Sequence, residues 1–182
     1  LSTMGQVVAA DRNGATLLVG TTTSYFPVRR YRIAKGELWT ETDESVKAKV
    51  CVVGQTVAEK LFGNLDPVGR TIRIGRYPFR IIGTLEAKGN SPFGEDQDDR
   101  ILMPIGSFRG RVMRTSPGRV DMLLASASSE ETTTRAQAQI TSSLRLLGMH
   151  GNPEHAHHDE RLCQPQVITI SALKKEGVEG FW

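Results

Sequence analysis

The sequence predicts an α+β fold, and three patterns along the chain support this. Residues 71–74 alternate polar and apolar side chains, as a strand with one buried face does. Residues 50–62 join a short β-branched apolar run to an amphipathic helical pattern. Residues 120–171 carry a strand pattern, a helical pattern and a final strand pattern. Strands therefore dominate the middle of the chain, and a strand–helix–strand unit follows them.

The first 50 residues predict a β-hairpin followed by irregular and helical turns. "GQVVAAD" and "ATLLVGT" are separated by "RNG", in which Asn13-Gly14 is a strong hairpin-turn signal because glycine accepts a positive φ. "SYFPVRRYRIAKGELW" predicts a short turn and then an extended run. "TETDESVKAKV" predicts a short helical turn begun by a Thr or Asp cap.

The middle of the chain predicts a strand, a helix and a second hairpin. "KVCVVG" reads as a buried strand that Gly54 ends, and Gly63 is suited to the C-cap of the helix that follows. The predicted apolar face of this helix consists of Val57, Ala58, Leu61 and Phe62. A turn with Pro67 and Gly69 leads to strands in "RTIRIG" and "YPFRIIGTLEA".

The remainder of the chain alternates loops with further elements. "KGNSPFGEDQDD" predicts an acidic loop, "RILMPI" a short strand, and "GSFRGRVMRTSPGR" a short helix and then a loop. "VDMLLASA" predicts a strand and residues 128–147 a helix, whose apolar face consists of Ala136, Ile140, Leu144 and Leu147. A polar loop from Met149 to Pro165 precedes the predicted last strand, "QVITIS".

Composition limits the class of protein without identifying it. The chain has 182 residues, of which 38% are hydrophobic and 24% charged, and its net charge is +3. No apolar run approaches the ~18–20 residues of a membrane span, and no signal peptide is present. Because the first residue is Leu rather than Met, we expect a fragment of a longer protein.

Two basic clusters leave two interpretations open. They suit either a nucleic-acid face or solvated strands whose charges protect a sheet edge. The low aromatic content of 6% favours solvated strands, so no nucleic-acid partner is expected. The clusters are Arg29, Arg30 and Arg32, and then Arg70, Arg73, Arg76 and Arg80.

Motifs for catalysis, cofactors and metals are missing from the sequence. There is no phosphate-binding GxxxxGK[ST], no GxGxxG opening a helix, no HExxH and no GxSxG. We therefore expect no enzyme activity and no cofactor. Cys51 and Cys163 form no CxxC motif; Cys51 is expected to be a buried thiol, and a pairing of the two stays open.

Two polar segments are weak metal-site candidates. The histidines at 150, 155, 157 and 158, with Asp159, Glu160 and Cys163, lack structural-zinc spacing, and a polar loop is the favoured interpretation. The acidic loop superficially resembles a calcium loop but lacks its Gly and Glu pattern. Carboxylates that cap backbone N–H groups or meet arginines are the favoured interpretation there. No metal site is predicted.

The central stretch closely resembles the periplasmic core domain of MacB-type ABC-transporter permeases. The family pattern is an apolar strand, "G-x-x-V/A-A-x-x-L-F", then "P-V/I-G" and "I-x-I/V-x-x-x-x-F-x-V/I-I/V-G". The matching positions are Val52 to Gly54, Val57, Ala58, Leu61, Phe62, Pro67, Val68, Gly69, Ile72, Ile74, Phe79, Ile81, Ile82 and Gly83. The resemblance covers roughly residues 5–148 and departs at Gly36-Glu37-Leu38-Trp39, where the family has Arg and Phe. The match to the family pattern is weaker after Gly148.

This resemblance implies a two-part domain on the periplasmic side of the bacterial inner membrane. A porter-like βαβ subdomain would comprise residues 1–45 and 116–171, without the strand and helix that usually precede it. A mostly-β subdomain, residues 46–115, would be inserted in it, and residues 172–182 have no expected role. The domain would transmit ATP-driven conformational change to a periplasmic adaptor during efflux and catalyse nothing itself.

The resemblance also implies partners and leaves other outputs open. The full-length protein would be a homodimer or heterodimer with ATPase domains, whereas the isolated domain would be monomeric. A lipoprotein-releasing domain or an FtsX-like activator of a cell-wall hydrolase stays possible. An apolar concave patch would favour cargo, and a polar tip would favour an adaptor. The hydrophilic acidic loop favours the adaptor, and its candidate contact residues are Gly89, Asn90, Phe93, Gly94, Asp96, Asp98 and Asp99.

Overall fold

A computed structural model gives the fold. It describes residues 1–10, 12–91, 94–115, 121–126, 138–142, 157–158 and 167–170. Contacts between residues divide the chain into two compact units, Leu1–Arg114 and Thr115–Trp182. The mixed helix-and-strand architecture agrees with the predicted class.

The described part of the first unit contains seven strands, four short helices and one π-helical turn, Phe108–Val112. The strands are β1 (Ser2–Ala9), β2 (Arg12–Thr21), β3 (Ile33–Gly36), β4 (Val50–Val53), β5 (Thr71–Ile74), β6 (Tyr77–Leu85) and β7 (Arg100–Pro104). The helices are α1 (Tyr25–Val28), α2 (Glu41–Ser45), α3 (Gln55–Phe62) and α4 (Ile105–Ser107).

One mixed sheet joins all seven strands in the order β3-β6-β4-β7-β2-β1-β5. Strand β5 also pairs with β6, so the sheet closes on itself. The β2–β7 and β4–β6 pairs are parallel, and the other pairs are antiparallel. Closure satisfies strand edges that would otherwise carry unpaired backbone groups.

Two apolar clusters cover the two faces of the central strands. The larger contains Cys51, Phe79 and the apolar face of α3, which is buried as the sequence predicts. The smaller contains Phe26 of α1, Trp39 of the β3–α2 connection, and side chains of β4, β6 and β7. Helix α3 begins after Gly54 and ends at Gly63, whose φ of 61° suits the predicted C-cap.

The predicted position of the first turn is wrong. Ala9 pairs with Arg12, so the β1–β2 turn precedes Arg12, and Asn13-Gly14 lies inside β2. Long-range pairing decides the register: Gly20 N–H donates to the Leu1 carbonyl, and β2 pairs with β7.

Other predicted elements are confirmed. Ile72 and Ile74 are buried while Thr71 and Arg73 are exposed, and the β5–β6 hairpin turns at Gly75-Arg76. Thr40 caps α2 through a capping box with Asp43, in which each side chain bonds the other residue's N–H.

The second unit contains a three-stranded antiparallel sheet in its described residues. Its order is β8-β10-β9, with β8 (Leu123–Ser126), β9 (His157–His158) and β10 (Val167–Ile170). Strands β8 and β10 were predicted. Strand β9 falls in a predicted loop, because its two-residue pairing uses backbone groups alone and needs no side-chain pattern.

Parts of the sequence prediction lie outside the described residues. Residues 138–142 are helical, inside the helix predicted for 128–147, and the rest of that range is not described. Cys163 and residues 172–182 also lie outside the described residues. The unit boundary after Arg114 lies close to the predicted boundary at 115, while the sheet of the first unit joins strands from 1–45 and from 46–115. The proposed division into a porter-like part and an insertion stays a prediction.

Candidate partner-binding site

The acidic loop, residues 86–99, connects β6 to β7 across the end of β4. Strand β4 lies between these two strands in the sheet, so the loop passes the point where β4 gives way to α3. Gly54, at that point, donates its N–H to the Arg100 carbonyl. The family-like central stretch and the acidic loop thus meet in space.

Backbone hydrogen bonds shape the loop from within. Asn90 and Asp96 form an isolated antiparallel bridge, and Gln97 N–H donates to the Gly89 carbonyl over 3.1 Å. Gly89 and Gly94 have φ values of 71° and 81°, which non-glycine residues rarely adopt. The loop is therefore a defined turn structure in its described residues.

Asp98 holds the base of the loop. Its side chain is only 5% exposed, and its carboxylate accepts N–H groups of Lys88 (2.9 and 3.0 Å) and Gly89 (2.8 Å). The sequence placed Asp98 among the surface candidates, but the structure buries it, because these two N–H groups need an acceptor. This agrees with the interpretation that the loop carboxylates cap backbone N–H groups.

Helix α3 braces the loop through two further carboxylates. Thr56 Oγ1 donates to Asp96 Oδ2 over 2.8 Å, and Lys60 Nζ forms an ion pair with Asp99 Oδ2 at 2.8 Å. Thr56 and Lys60 are four residues apart and therefore lie on one face of α3. A displacement of α3 would therefore also displace the loop.

The bond from Thr56 predicts a titration result for Asp96. Burial of this carboxyl is slight and opposes the shift, while N–H donation from Asp98 and the Thr56 hydroxyl lower the pKa of Asp96. Thr56→Val is expected to raise that pKa toward its ordinary value, about 3.9. A carboxyl whose pKa is lower in the folded than in the unfolded protein stabilises the fold fully above its unfolded-state pKa, and this stability is lost as the pH falls. The stability difference between parent and variant should therefore shrink as the pH falls below about 4.

This titration is measured by the pH dependence of the Asp96 carboxyl-carbon NMR shift, with Thr42→Val as the control because the structure shows no bond from the Thr42 hydroxyl to Asp96. An unchanged Asp96 titration in Thr56→Val would contradict the brace.

Steric packing also joins the loop to the central stretch. A Cβ placed on Gly54 would lie 2.1 Å from the Asp98 carbonyl oxygen and 3.2 Å from its Cα. The obstacle is backbone, which cannot rotate away as a side chain does. Gly54 is therefore required by the close approach of the loop, since its own φ of −76° is open to any residue.

A separate open cleft of about 510 Å³ lies at the C-terminal end of α3. An ion pair of 2.6 Å between Lys35 and Asp66 joins its two sides. Its lining is mainly polar: Lys35, Gln55, Ala58, Glu59, Gly63, Asn64, Leu65, Asp66, Pro67 and Thr84. This cleft does not have the apolar lining expected of a cargo site.

Within the described ranges, no group of three or more His, Cys, Asp or Glu side chains is arranged to hold a metal ion. Cys51 is fully buried, and burial raises the pKa of its thiol, which disfavours a reactive thiolate. No described helix has both the length and the apolarity to cross a membrane.

The structure describes six of the seven predicted contact residues and shows that they differ in exposure. Gly89, Asn90, Gly94 and Asp96 are exposed. Asp98 is buried, and Asp99 is half-buried in its ion pair. Phe93 lies outside the described residues.

Sequence reasoning missed Thr56 and Lys60 as partners of the loop. Their i, i+4 spacing beside a predicted apolar face was visible, but the carboxylates they bind lie 40 and 39 residues away. No local pattern reports such pairs.

Comparisons with known proteins agree with the resemblance. A family model described as the MacB-like periplasmic core domain matches residues 1–143. The chain is 41% identical over 137 residues to a macrolide export ATP-binding/permease protein MacB of Rhodospirillum rubrum, covering 75% of this chain and 20% of that protein. It is 37% identical over 129 residues to MacB of Syntrophobacter fumaroxidans, covering 70% and 18%.

A solved structure shows a similar fold. The periplasmic region of MacB from Actinobacillus actinomycetemcomitans matches with a TM-score of 0.62 at 22% identity, covering 80% of this chain and 64% of that chain. The chain spans about a fifth of the length of the two MacB relatives.

Proposed function

The chain belongs to the family of MacB-like periplasmic core domains of ABC transporter permeases, on the periplasmic side of the inner membrane, and we propose that it transmits ATP-driven conformational change to a periplasmic adaptor protein during export. The domain itself carries out no catalysis in this proposal.

The observation that carries the proposal is the brace between α3 and the acidic loop. Thr56 and Lys60 bind Asp96 and Asp99, and Asp98 ties the loop to its own base. A loop that is held to α3 at two points and tied at its own base moves with that helix. The exposed residues of this loop are then the surface that a partner meets.

The finer architecture belongs to the same proposal. Residues 1–45 and 116–171 would form the porter-like subdomain and residues 46–115 the inserted mostly-β subdomain. The full-length permease would act as a dimer with its ATPase domains, while the isolated chain would be monomeric. The polar lining of the cleft beside α3 supports an adaptor over a lipoprotein cargo.

Adaptor binding tests the proposal. Asn90→Arg combined with Phe93→Ala is expected to weaken binding of the full-length permease to its cognate adaptor by tenfold or more, since loss of an interface anchor typically costs over ~1.4 kcal/mol. Asn90 is exposed, so the charge it gains faces solvent and not the core. The measurement is biolayer interferometry with the permease in nanodiscs.

A matched control alters an exposed surface elsewhere. Leu65→Ala with Glu37→Arg also truncates one large apolar side chain and introduces one arginine, at the edge of the cleft and in the β3–α2 connection. This control should leave adaptor affinity within about twofold. Equal affinity of the loop variant and the parent would exclude the loop as the contact.

A further inference from the structure

Two cations lie against the buried ring of Tyr31, and two more follow from its neighbours in the chain. Lys88 Nζ lies 4.2 Å from the ring centroid and Arg100 Cζ 5.8 Å from it. Arg29 and Arg30 precede Tyr31 in the chain and act electrostatically on Lys88. We call these five residues the Tyr31 cluster. It lies at the base of the acidic loop, since Lys88 belongs to that loop.

Hydrogen bonds and ring stacking hold Lys88 and Tyr31 in place within the cluster. Lys88 Nζ donates to the Arg29 carbonyl, and Tyr31 Oη donates to the Gln97 carbonyl over 3.5 Å. Tyr25 stacks on Tyr31 with the ring centroids 5.9 Å apart. The Lys88 ammonium and the Tyr31 ring are therefore held in position before any ligand arrives, which reduces the entropic cost of ordering them on binding.

The positive charges of the cluster are not matched by carboxylates. Among the described residues, no Asp or Glu lies within ion-pair distance of the four cations, and the ion pairs found there are Lys35–Asp66 and Lys60–Asp99. The acid that acts electrostatically on Lys88 is Asp98, and its carboxylate already accepts the N–H groups of Lys88 and Gly89. The cluster keeps a net positive charge.

Assembling these charges is unfavourable without a partner. Arg100 is only 7% exposed, and its Nε has no hydrogen-bond partner in the described part of the chain. Burial, followed by repulsion from Arg29 and Arg100, lowers the pKa of Lys88. A buried guanidinium costs free energy, and an anion bound nearby would offset part of this cost through its charge.

We propose that the Tyr31 cluster binds a carboxylate-rich segment of a partner protein. The inference rests on the proposed function and deepens it by naming the chemistry that the partner presents. Guanidinium groups pair bidentately with carboxylates, as Arg29 and Arg30 can, and the Lys88 ammonium adds a further positive charge. The site is continuous with the exposed part of the acidic loop, so one partner can contact both.

Phosphate is a poorer fit to the same charges. Phosphate sites usually add backbone N–H groups from a helix N-terminus or a turn. Here the N–H groups of Lys88 and Gly89 are occupied by Asp98. The remaining donors are side chains beside an aromatic surface, an arrangement that suits an extended acidic peptide.

Fluorescence anisotropy of labelled hexa-aspartate with the 182-residue chain tests the inference, with labelled hexa-asparagine as the neutral peptide. The acidic peptide should bind saturably, and binding should weaken as salt rises, because exposed charges are screened. Arg29→Gln with Arg30→Gln should weaken it at least tenfold, as loss of charge-assisted contacts does. These substitutions break no hydrogen bond that the structure shows from either side chain.

The control removes two charges from another exposed surface. Arg73→Gln with Arg76→Gln, on the β5–β6 hairpin, should change affinity by less than about twofold, because distant exposed charges contribute little. Absence of hexa-aspartate binding, or equal losses in both double variants, would overturn the inference. Binding to phosphatidylglycerol vesicles with the same dependence on Arg29 and Arg30, and none to the peptide, would overturn it in favour of phosphate.

The result is separable from the proposed function. If hexa-aspartate fails to bind while Asn90→Arg with Phe93→Ala still weakens adaptor binding, the inference falls and the function stands. If hexa-aspartate binds but no loop variant affects the adaptor, the function falls and the cluster keeps its assigned chemistry.

Discussion

Gly54→Ala is expected to lower the free energy of unfolding by about 3 kcal/mol, near the upper end of what overpacking costs. The added Cβ would meet the Asp98 carbonyl oxygen at 2.1 Å, so the strand–helix junction and the loop must separate. Separation would also strain the bond from Gly54 N–H to the Arg100 carbonyl, 2.9 Å long in the parent. Urea denaturation of the 182-residue chain, followed by circular dichroism, measures the change.

Gly14→Ala is the matched control for this substitution. Gly14 also lies in extended backbone, within β2, but its added Cβ would have no atom within 4 Å. Stability should stay within about 0.5 kcal/mol of the parent, as for most surface substitutions. Similar losses in both variants would mean that glycine's backbone freedom matters and that the approach of the loop does not.

Asp98→Ala is expected to cost about 2–4 kcal/mol, because two loop N–H groups lose a charged acceptor in a partly buried setting. The groups are those of Lys88 and Gly89, both within 3.0 Å of the carboxylate. Asp98→Asn should cost less, since an amide oxygen retains one neutral acceptor. Urea denaturation gives the stability, and hydrogen exchange reports the two amides directly.

Glu95→Ala controls for the loss of an acidic side chain from the same loop. Glu95 is exposed, and the bonds shown for it use its backbone: its carbonyl accepts Ser91 N–H, and its N–H donates to Ser91 Oγ. Its stability change should stay within about 0.5 kcal/mol. An Asp98→Ala variant as stable as Glu95→Ala would refute the structural role of Asp98.

The elements of the first unit were largely predictable from local pattern. The α3 helix follows from four apolar residues on one face between two glycines, and β5 follows from strict alternation. The capping box at Thr40 follows from its local sequence. Each of these signals lies within a dozen residues, where short-range physics decides the conformation.

The local sequence pattern could not predict pairing between residues far apart in the chain. The β1–β2 register depends on contacts with Leu1 and β7, which alternation does not encode. The acidic loop was located correctly, but the burial of Asp98 depends on the N–H groups that happen to face it. The Tyr31 cluster likewise joins residues 29–31 to Lys88 and Arg100 through the fold, although its arginines were visible as a basic run.

The interactions between the central stretch and the acidic loop give that stretch a structural role. Residues 52–83 supply the strand end, the glycine and the helix against which the acidic loop is packed and bonded. The packing of these residues fixes the position of the loop. The exposed described residues of this loop, with a cationic cluster at its base, are suited to the contact with another protein that we propose.

Adaptor binding by full-length permease carrying Asn90→Arg and Phe93→Ala is the most direct measurement to make. The braced loop predicts that affinity falls at least tenfold, mainly through faster dissociation, while the Leu65→Ala with Glu37→Arg control binds as the parent does. Unchanged affinity in the loop variant, at unchanged stability, would contradict the loop as the surface through which this domain meets its partner.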